Sequence, residues 1–398
     1  MKYKFHKDFL WGVALSGYQT EGNGINTDWW YYEKNKRKTD KYPEEESGIA
    51  NDFWNRYKED IDLAKELNSN SIRLGVEWAR IEPTPGHFNE EAVFHYKKIL
   101  EYAKSKNLKI FLTLHHFTIP LWFAEMGGFL NYDAPKIFSF YAMKCVEEFK
   151  DYVDFFITIN EPEVYSYMGY VRGSWPPMHR SNFEAALVNL NFLRCHRYFY
   201  KKAKKKYSTP IGIVKNISSY TERDDSLIDR TVARIIHFFS ADILIFPIKN
   251  QLDFIGLNYY FSNQIKNFDI NNPCDPESDM GWWIDFDGIK NILVKLRKYN
   301  KDIYITENGL ADSRDEKRKW FIKNMLISCY EAIENYNVPL KGYLHWTLCD
   351  NFEWHHGYWP QFGLVKIQRD KSLARIKRPS FDFYQLICKT GVVEDTIY

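Results

Sequence analysis

Eight short apolar runs punctuate the chain, and helix-length amphipathic stretches fill most of the gaps between them. The runs are residues 9–14, 71–75, 108–114, 155–159, 211–215, 253–257, 303–306 and 342–346. Residues 108–114, LKIFLTL, are nearly all apolar, as a parallel strand covered on both faces must be. Between the runs the apolar period changes from strand to helix. Trp54, Tyr57, Ile61 and Ala64 share one face, as do Tyr96, Ile99, Leu100 and Ala103, and later Ile322, Met325, Leu326, Cys329 and Ile333. A strand and helix alternation of this length predicts an α/β chain closed into a single (β/α)8 TIM barrel rather than an open sheet. At 398 residues the chain exceeds an ordinary domain, but no Pro/Gly/Ser-rich linker and no internal repeat divides it. One domain over residues 1–398 is therefore expected.

Charge and cysteine content narrow the partners. Lys+Arg of 54 against Asp+Glu of 52 leaves a net +2, which is no footprint for nucleic acid. The run KKAKKK at residues 201–206 reads as the solvated end of a helix, where cations meet the dipole favourably. The six cysteines are far apart in sequence and form no Cys-x-x-Cys, so they read as buried small residues in a reducing compartment. The first apolar run, residues 9–15, is too short for a signal peptide or a membrane span. A cytoplasmic protein with no membrane span is the expectation. Aromatic residues make up 18% of the chain, more than a core requires, and flat rings suit the C–H faces of sugars.

Two of the runs end on a carboxylate: TINEP at residues 158–162 and ITENG at residues 305–309. Each glutamate alone reads as a turn residue capping a strand. As a pair at one end of one barrel, Glu161 and Glu307 have the composition needed to cleave an acetal, which takes one carboxyl to protonate the leaving oxygen and one to face the anomeric carbon. Other polar or aromatic residues fall at the same end: Gln19, Arg73, His116, Asn160, Asn258, Tyr260, Trp346, Glu353 and Trp354. Two long polar stretches, residues 33–47 and 263–279, belong to the loops of that face. The pairs His115-His116 and His355-His356 lack the spacing of a helical metal motif, and no metal is expected.

Six stretches carry a resemblance to a known family. They are FLWGVALSGYQTEG at 9–22, RLGVEWARI at 73–81, TINEP at 158–162, DFIGLNYY at 253–260, YITENG at 304–309 and WTLCDNFEW at 346–354. In order and wording the chain resembles glycoside hydrolase family 1, the β-glucosidase and β-galactosidase family. HHFTIPLW at 115–122 with VEW at 76–78 is similar to the archaeal branch. The resemblance implies a retaining β-glycosidase that needs no cofactor and hydrolyses terminal non-reducing β-D-glycosides, glucosides first, with β-galactosidase and β-fucosidase side activity. It implies that Glu307 is the nucleophile and Glu161 the general acid/base. Arg73 and Tyr260 would favour ionised Glu307, Asn258 would support the pair, and Asn160 would hold the sugar 2-hydroxyl. Gln19, His116, Glu353 and the Trp354 N–H would hold the other hydroxyls over a Trp346 platform. Glu353 stands where 6-phosphoglycosidases carry phosphate-binding residues, which implies unphosphorylated sugars.

The chain departs from the family in length. Residues 215–253 are compact, and the two glutamates lie 307 − 161 = 146 positions apart, a short interval for the family. That leaves the leaving-group side either open or closed by a partner subunit of a homo-oligomer. Transglycosylation on the same site, and a catalytically silent sugar-binding barrel, are the rival readings.

Overall fold

The computed structural model describes residues 1–35, 45–370 and 372–395. Eight parallel strands close into a barrel, each pairing with the next and the last with the first. In chain order they are β1 Leu10–Ala14, β2 Ser71–Gly75, β3 Lys109–Thr113, β4 Phe155–Asn160, β5 Ile211–Asn216, β6 Phe254–Asn258, β7 Asp302–Asn308 and β8 Leu340–Trp346. Each is followed by a main helix: α1 Phe53–Glu66, α2 Glu90–Ser105, α3 Ala134–Phe149, α4 Asn182–Ala203, α5 Leu227–His237, α6 Phe286–Leu296, α7 Arg318–Tyr336 and α8 Pro379–Thr390. This is the expected (β/α)8 TIM barrel.

Local chemistry starts the helices where the sequence supplies caps. Asn89 accepts from Glu91 N and Ala92 N at the head of α2, Ser181 from Glu184 N at α4, and Ser226 from Asp229 N at α5. The helix faces picked out by periodicity are the buried ones: Tyr96, Ile99, Leu100 and Ala103 on α2 all lie in the core, as do Ile322, Met325, Leu326 and Cys329 on α7.

The barrel is filled rather than hollow. Phe111, Phe155, Phe254 and Tyr304 point inward from β3, β4, β6 and β7 and pack on one another, with Phe111 and Phe155 stacked at 4.3 Å between ring centroids. Gly212 makes room for this plug, since a Cβ there would lie 2.6 Å from the Phe254 ring. The aromatic plug seals the amino half of the barrel, so a ligand has access only to the carboxyl end. The termini meet in an antiparallel pair, Lys2–Lys4 with Val392–Glu394.

The described parts of both long polar loops join the carboxyl face. Residues 263–279 take part in a small sheet in which Ser262–Lys266 pairs with Ser219–Glu222 and Asp269–Ile270. Of residues 33–47, positions 36–44 lie outside the described residues. The two ends are tied together, because Glu33 accepts from both Ser47 N and Ser47 Oγ at 3.0 and 2.9 Å.

Candidate active site

All eleven sequence-predicted residues converge on the carboxyl end of the barrel. Arg73 stands at the middle of β2, His116 just beyond β3, Asn160 at the end of β4 with Glu161 next, Asn258 at the end of β6, Glu307 one residue before the end of β7 and Trp346 at the end of β8. Gln19 sits on a short helix after β1, Tyr260 two residues past β6, and Glu353 and Trp354 in the loop after β8.

Strand alternation alone would not aim these side chains. On β7 the pairing with β6 slips between Ile305 and Glu307, and on β4 the pairing with β5 slips between Ile157 and Asn160. Such bulges let two consecutive residues face the same side. Thr306 and Glu307 both turn inward, Thr306 Oγ1 donating to Asn258 Oδ1 at 2.8 Å. Asn160 and Glu161 do the same. Glu161 also adopts left-handed backbone angles, φ 46° and ψ 60°, which cost a non-glycine residue about 1–3 kcal/mol and recur at functional sites. Gly309, two residues past Glu307, passes so close to the Trp346 carbonyl that a Cβ would lie 1.7 Å from its oxygen. Only glycine lets the two strand ends come together here.

One hydrogen-bonded network joins the carboxyls. Arg73, fully buried, donates from Nη1 to Glu307 Oε1 at 2.5 Å, from Nη2 to Asn160 Oδ1 at 2.7 Å and from Nε to Thr113 Oγ1 at 3.0 Å. Tyr260 Oη donates to the other Glu307 oxygen at 2.6 Å. Asn258 Nδ2 donates to Glu161 Oε1 at 2.6 Å and to Asn160 Oδ1 at 3.2 Å, the oxygen that also accepts from Arg73 Nη2.

The environments are unequal. Burial pushes the Glu161 carboxyl well above the usual range, and the neighbouring Glu307 charge pushes it further. Burial raises Glu307 as well, but the Arg73 charge and the hydrogen bonds from Tyr260 and Arg73 pull it back down. Glu161 is therefore the member that keeps the proton, and Glu307 the one that ionises first.

The residues expected to face a sugar form a second layer. The His116 ring lies near-parallel to Trp346 and Trp354, at 6.1 and 6.0 Å. Burial and the Arg73 charge hold it neutral, well below its usual pKa. Its Nε2 lies 3.3 Å from Asn160 Nδ2, and its buried Nδ1 has no hydrogen-bond partner among the described residues. Gln19 Nε2 donates to the Phe352 carbonyl at 2.8 Å and, at 3.4 Å, to Glu353 Oε2. Burial and the Glu307 charge raise Glu353 to about 8. At neutral pH it is mostly protonated and can both donate to and accept from vicinal hydroxyls.

Sequence reading missed the supports. Thr113 and Thr306 hold Arg73 and Asn258 in place. Behind Glu161 a fully buried Lys215 pairs with Glu163, whose other oxygen accepts from Asn216 N at 2.6 Å. A lysine closing the apolar run of β5 was the available signal. The adjacent histidines are not strand pairs: His355 and His356 share a 3-10 turn, and Trp175 Nε1 donates to His355 Nδ1 at 2.8 Å.

Arg73 is the group on which the pair depends for stability. Arg73→Met leaves Glu307 buried without its cation, and such broken pairs cost about 3–5 kcal/mol. The deficit depends on pH. Without Arg73 the folded-state pKa of Glu307 rises further above its unfolded value, so the loss is small below the unfolded pKa and grows as pH rises. Denaturant unfolding of the native chain and the variant at pH 5 and pH 8 checks this; an equal deficit at both would refute it.

The model of "Glycosyl hydrolase family 1" matches residues 1–244 and 219–392. A 1,4-β-D-glucan glucohydrolase of Thermotoga neapolitana is 30% identical, over 98% of this chain and 100% of its own length. A chloroplastic galactolipid galactosyltransferase of Arabidopsis thaliana is 33% identical over 86% of this chain and 58% of its own. The solved structure of a β-glycosidase from Pyrococcus horikoshii superposes with a TM-score of 0.92 at 34% identity, covering 99% of this chain and 97% of that one.

Proposed function

The chain belongs to glycosyl hydrolase family 1 and is a retaining β-glycosidase, and on that premise we propose that Glu307 is its nucleophile and Glu161 its general acid/base. Glu307 attacks the anomeric carbon while protonated Glu161 donates to the departing oxygen. A covalent glycosyl-enzyme forms, and Glu161, now a base, activates the water that releases the sugar. The observation that carries this assignment is the unequal pair: Glu307 accepts from the Arg73 guanidinium and the Tyr260 hydroxyl, whereas Glu161 accepts from the neutral Asn258 amide and is pushed up by burial and by the Glu307 charge. Asn160, fixed by Arg73, is aimed at the 2-hydroxyl; Gln19, His116, Glu353 and Trp354 take the remaining hydroxyls, and Trp346 lies beneath the ring. No cofactor takes part in these steps. The barrel with its loops acts as one catalytic domain, and the six free cysteines support a cytoplasmic location.

Retention is tested directly by following hydrolysis of an aryl β-glucoside by proton NMR. The β-anomer of the sugar appears first, and mutarotation follows; an α-anomer as first product would overturn the mechanism. A panel of aryl β-glucosides, galactosides, fucosides and mannosides then ranks the glycone by kcat/KM.

Phosphorylated sugars provide a sharper test. Around Glu353 stand Gln19 and the Glu307 charge rather than a cation. A 6-phosphate placed there meets like charge, which costs several kcal/mol. The kcat/KM for a 6-phospho-β-glucoside should fall at least about 100-fold below that of the unphosphorylated sugar. Comparable values would remove Glu353 from the glycone site.

The galactosyltransferase among the relatives favours a second reading, transfer to an alcohol acceptor in place of water. Products formed with and without an added alcohol distinguish the two.

A further inference from the structure

The helical segment Leu227–Gln251 is long and apolar enough to cross a membrane by composition, with a mean hydropathy of 1.6 over its best window. It does not cross one, because it is the connection between barrel strands β5 and β6 and packs Ala233, Ala241, Ile245 and Ile248 against the barrel. Its opposite face is also apolar. Leu227, Ile228, Ile235, Phe238, Phe239 and Phe246 point outward and are 51–74% exposed. They repeat at helical spacing over more than four turns, interrupted by Thr231 and Arg234. Together they leave on the order of 700 Å² of apolar surface in water, above the roughly 300–600 Å² of the largest patch on a typical monomer. It is close to the roughly 800 Å² that each partner contributes to a standard protein interface.

The charges at the two ends say what covers it. Asp224 and Asp225 precede the segment: Asp224 pairs with Lys266 at 2.6 Å, and Asp225 is fully exposed with Arg230 at 3.4 Å. At the far end stands exposed Lys249, its ammonium 4.4 Å from the Phe246 ring. A second copy laid antiparallel would set its own Lys249 beside Asp225.

We propose that the outward face of Leu227–Gln251 is an isologous dimer interface, two copies of this helix packing antiparallel about a two-fold axis at the level of His237. In that register Ile228 lies opposite Phe246 of the second copy, Ile235 opposite Phe239, and Asp225 opposite Lys249. Each contact occurs twice, as two-fold symmetry requires. The antiparallel arrangement also sets the two helix dipoles head to tail. The face lies on the outside of the barrel, so pairing leaves the carboxyl-end site of each copy open.

Sedimentation velocity on the full chain at micromolar concentration tests the proposal. The expected species has twice the chain mass of 47.6 kDa. Phe239→Asp, at an exposed position that the fold does not use, converts it to a monomer with kcat/KM on an aryl β-glucoside within about two-fold of the native value. Asp225→Lys and Lys249→Asp each raise the dimer dissociation constant about ten-fold, and the double exchange returns it to within about three-fold of the native value. A native chain that stays monomeric over the whole concentration range overturns the interface, as does monomer that floats with anionic phospholipid vesicles. A dimer indifferent to Phe239→Asp overturns it too, and charge exchange without recovery overturns the register.

Discussion

Glu307→Gly should abolish hydrolysis of an aryl β-glucoside, lowering kcat by on the order of 10⁴-fold or more, as removal of a covalent nucleophile does elsewhere. The loss comes from chemistry and not from collapse of the site. Arg73 keeps Asn160 and Thr113 as partners when Glu307 is gone, and Tyr260 loses only one acceptor. The vacated space is bordered by a guanidinium and a phenol hydroxyl, both donors, and it suits a small anion. Sodium azide or formate should therefore restore turnover of substrates with good leaving groups. Azide then attacks from the side that Glu307 occupied, so the product is the α-glycosyl azide. Substantial activity without an added anion would remove Glu307 from the nucleophile position. A β-azide would place the attacking face on the wrong side of the ring.

The barrel was readable because a parallel strand buried on both faces must be apolar throughout. The run at 108–114 became Lys109–Thr113, and the run at 211–215 became Ile211–Asn216. The proposed catalytic pair was readable for the opposite reason. Glu161 and Glu307 break apolar runs at a strand end, where burial without function is costly. What aims them was not readable. A bulge is a change of pairing between two strands, and nothing in the letters around Thr306 separates a strand that slips by one residue from one that does not. Lys215 escaped notice because a lysine at the end of an apolar run usually points to water, whereas here Glu163, two residues past Glu161, holds it inside. The outward face of Leu227–Gln251 was hidden by its own composition. When a helix is apolar on both sides, periodicity cannot say which side the barrel takes.

Glu161→Gln should separate the two halves of the reaction. With a poor leaving group, the first step needs the proton that Glu161 holds, and kcat/KM should fall by about 10²–10⁴-fold. With a dinitrophenyl leaving group that step needs no acid, so the glycosyl-enzyme still forms but breaks down slowly. Both kcat and KM then fall, and an initial burst of phenolate appears. Azide accelerates the second step and yields the β-glycosyl azide, the opposite anomer from the Glu307→Gly product. The pH profile follows from the same electrostatics. In the free protein Glu161 is held protonated by burial and by the Glu307 charge, so native kcat/KM declines as pH rises through that elevated pKa. It declines at low pH as Glu307 is protonated. Glutamine does not titrate, so the variant acting on the dinitrophenyl glycoside should lose the alkaline limb and keep the acid one. Once Glu307 is esterified its charge is gone, and with it the second-largest cause that raises Glu161. The carboxyl then releases its proton more readily, at the step where a base is required. An alkaline limb that persists unchanged in Glu161→Gln would show that another group supplies the proton.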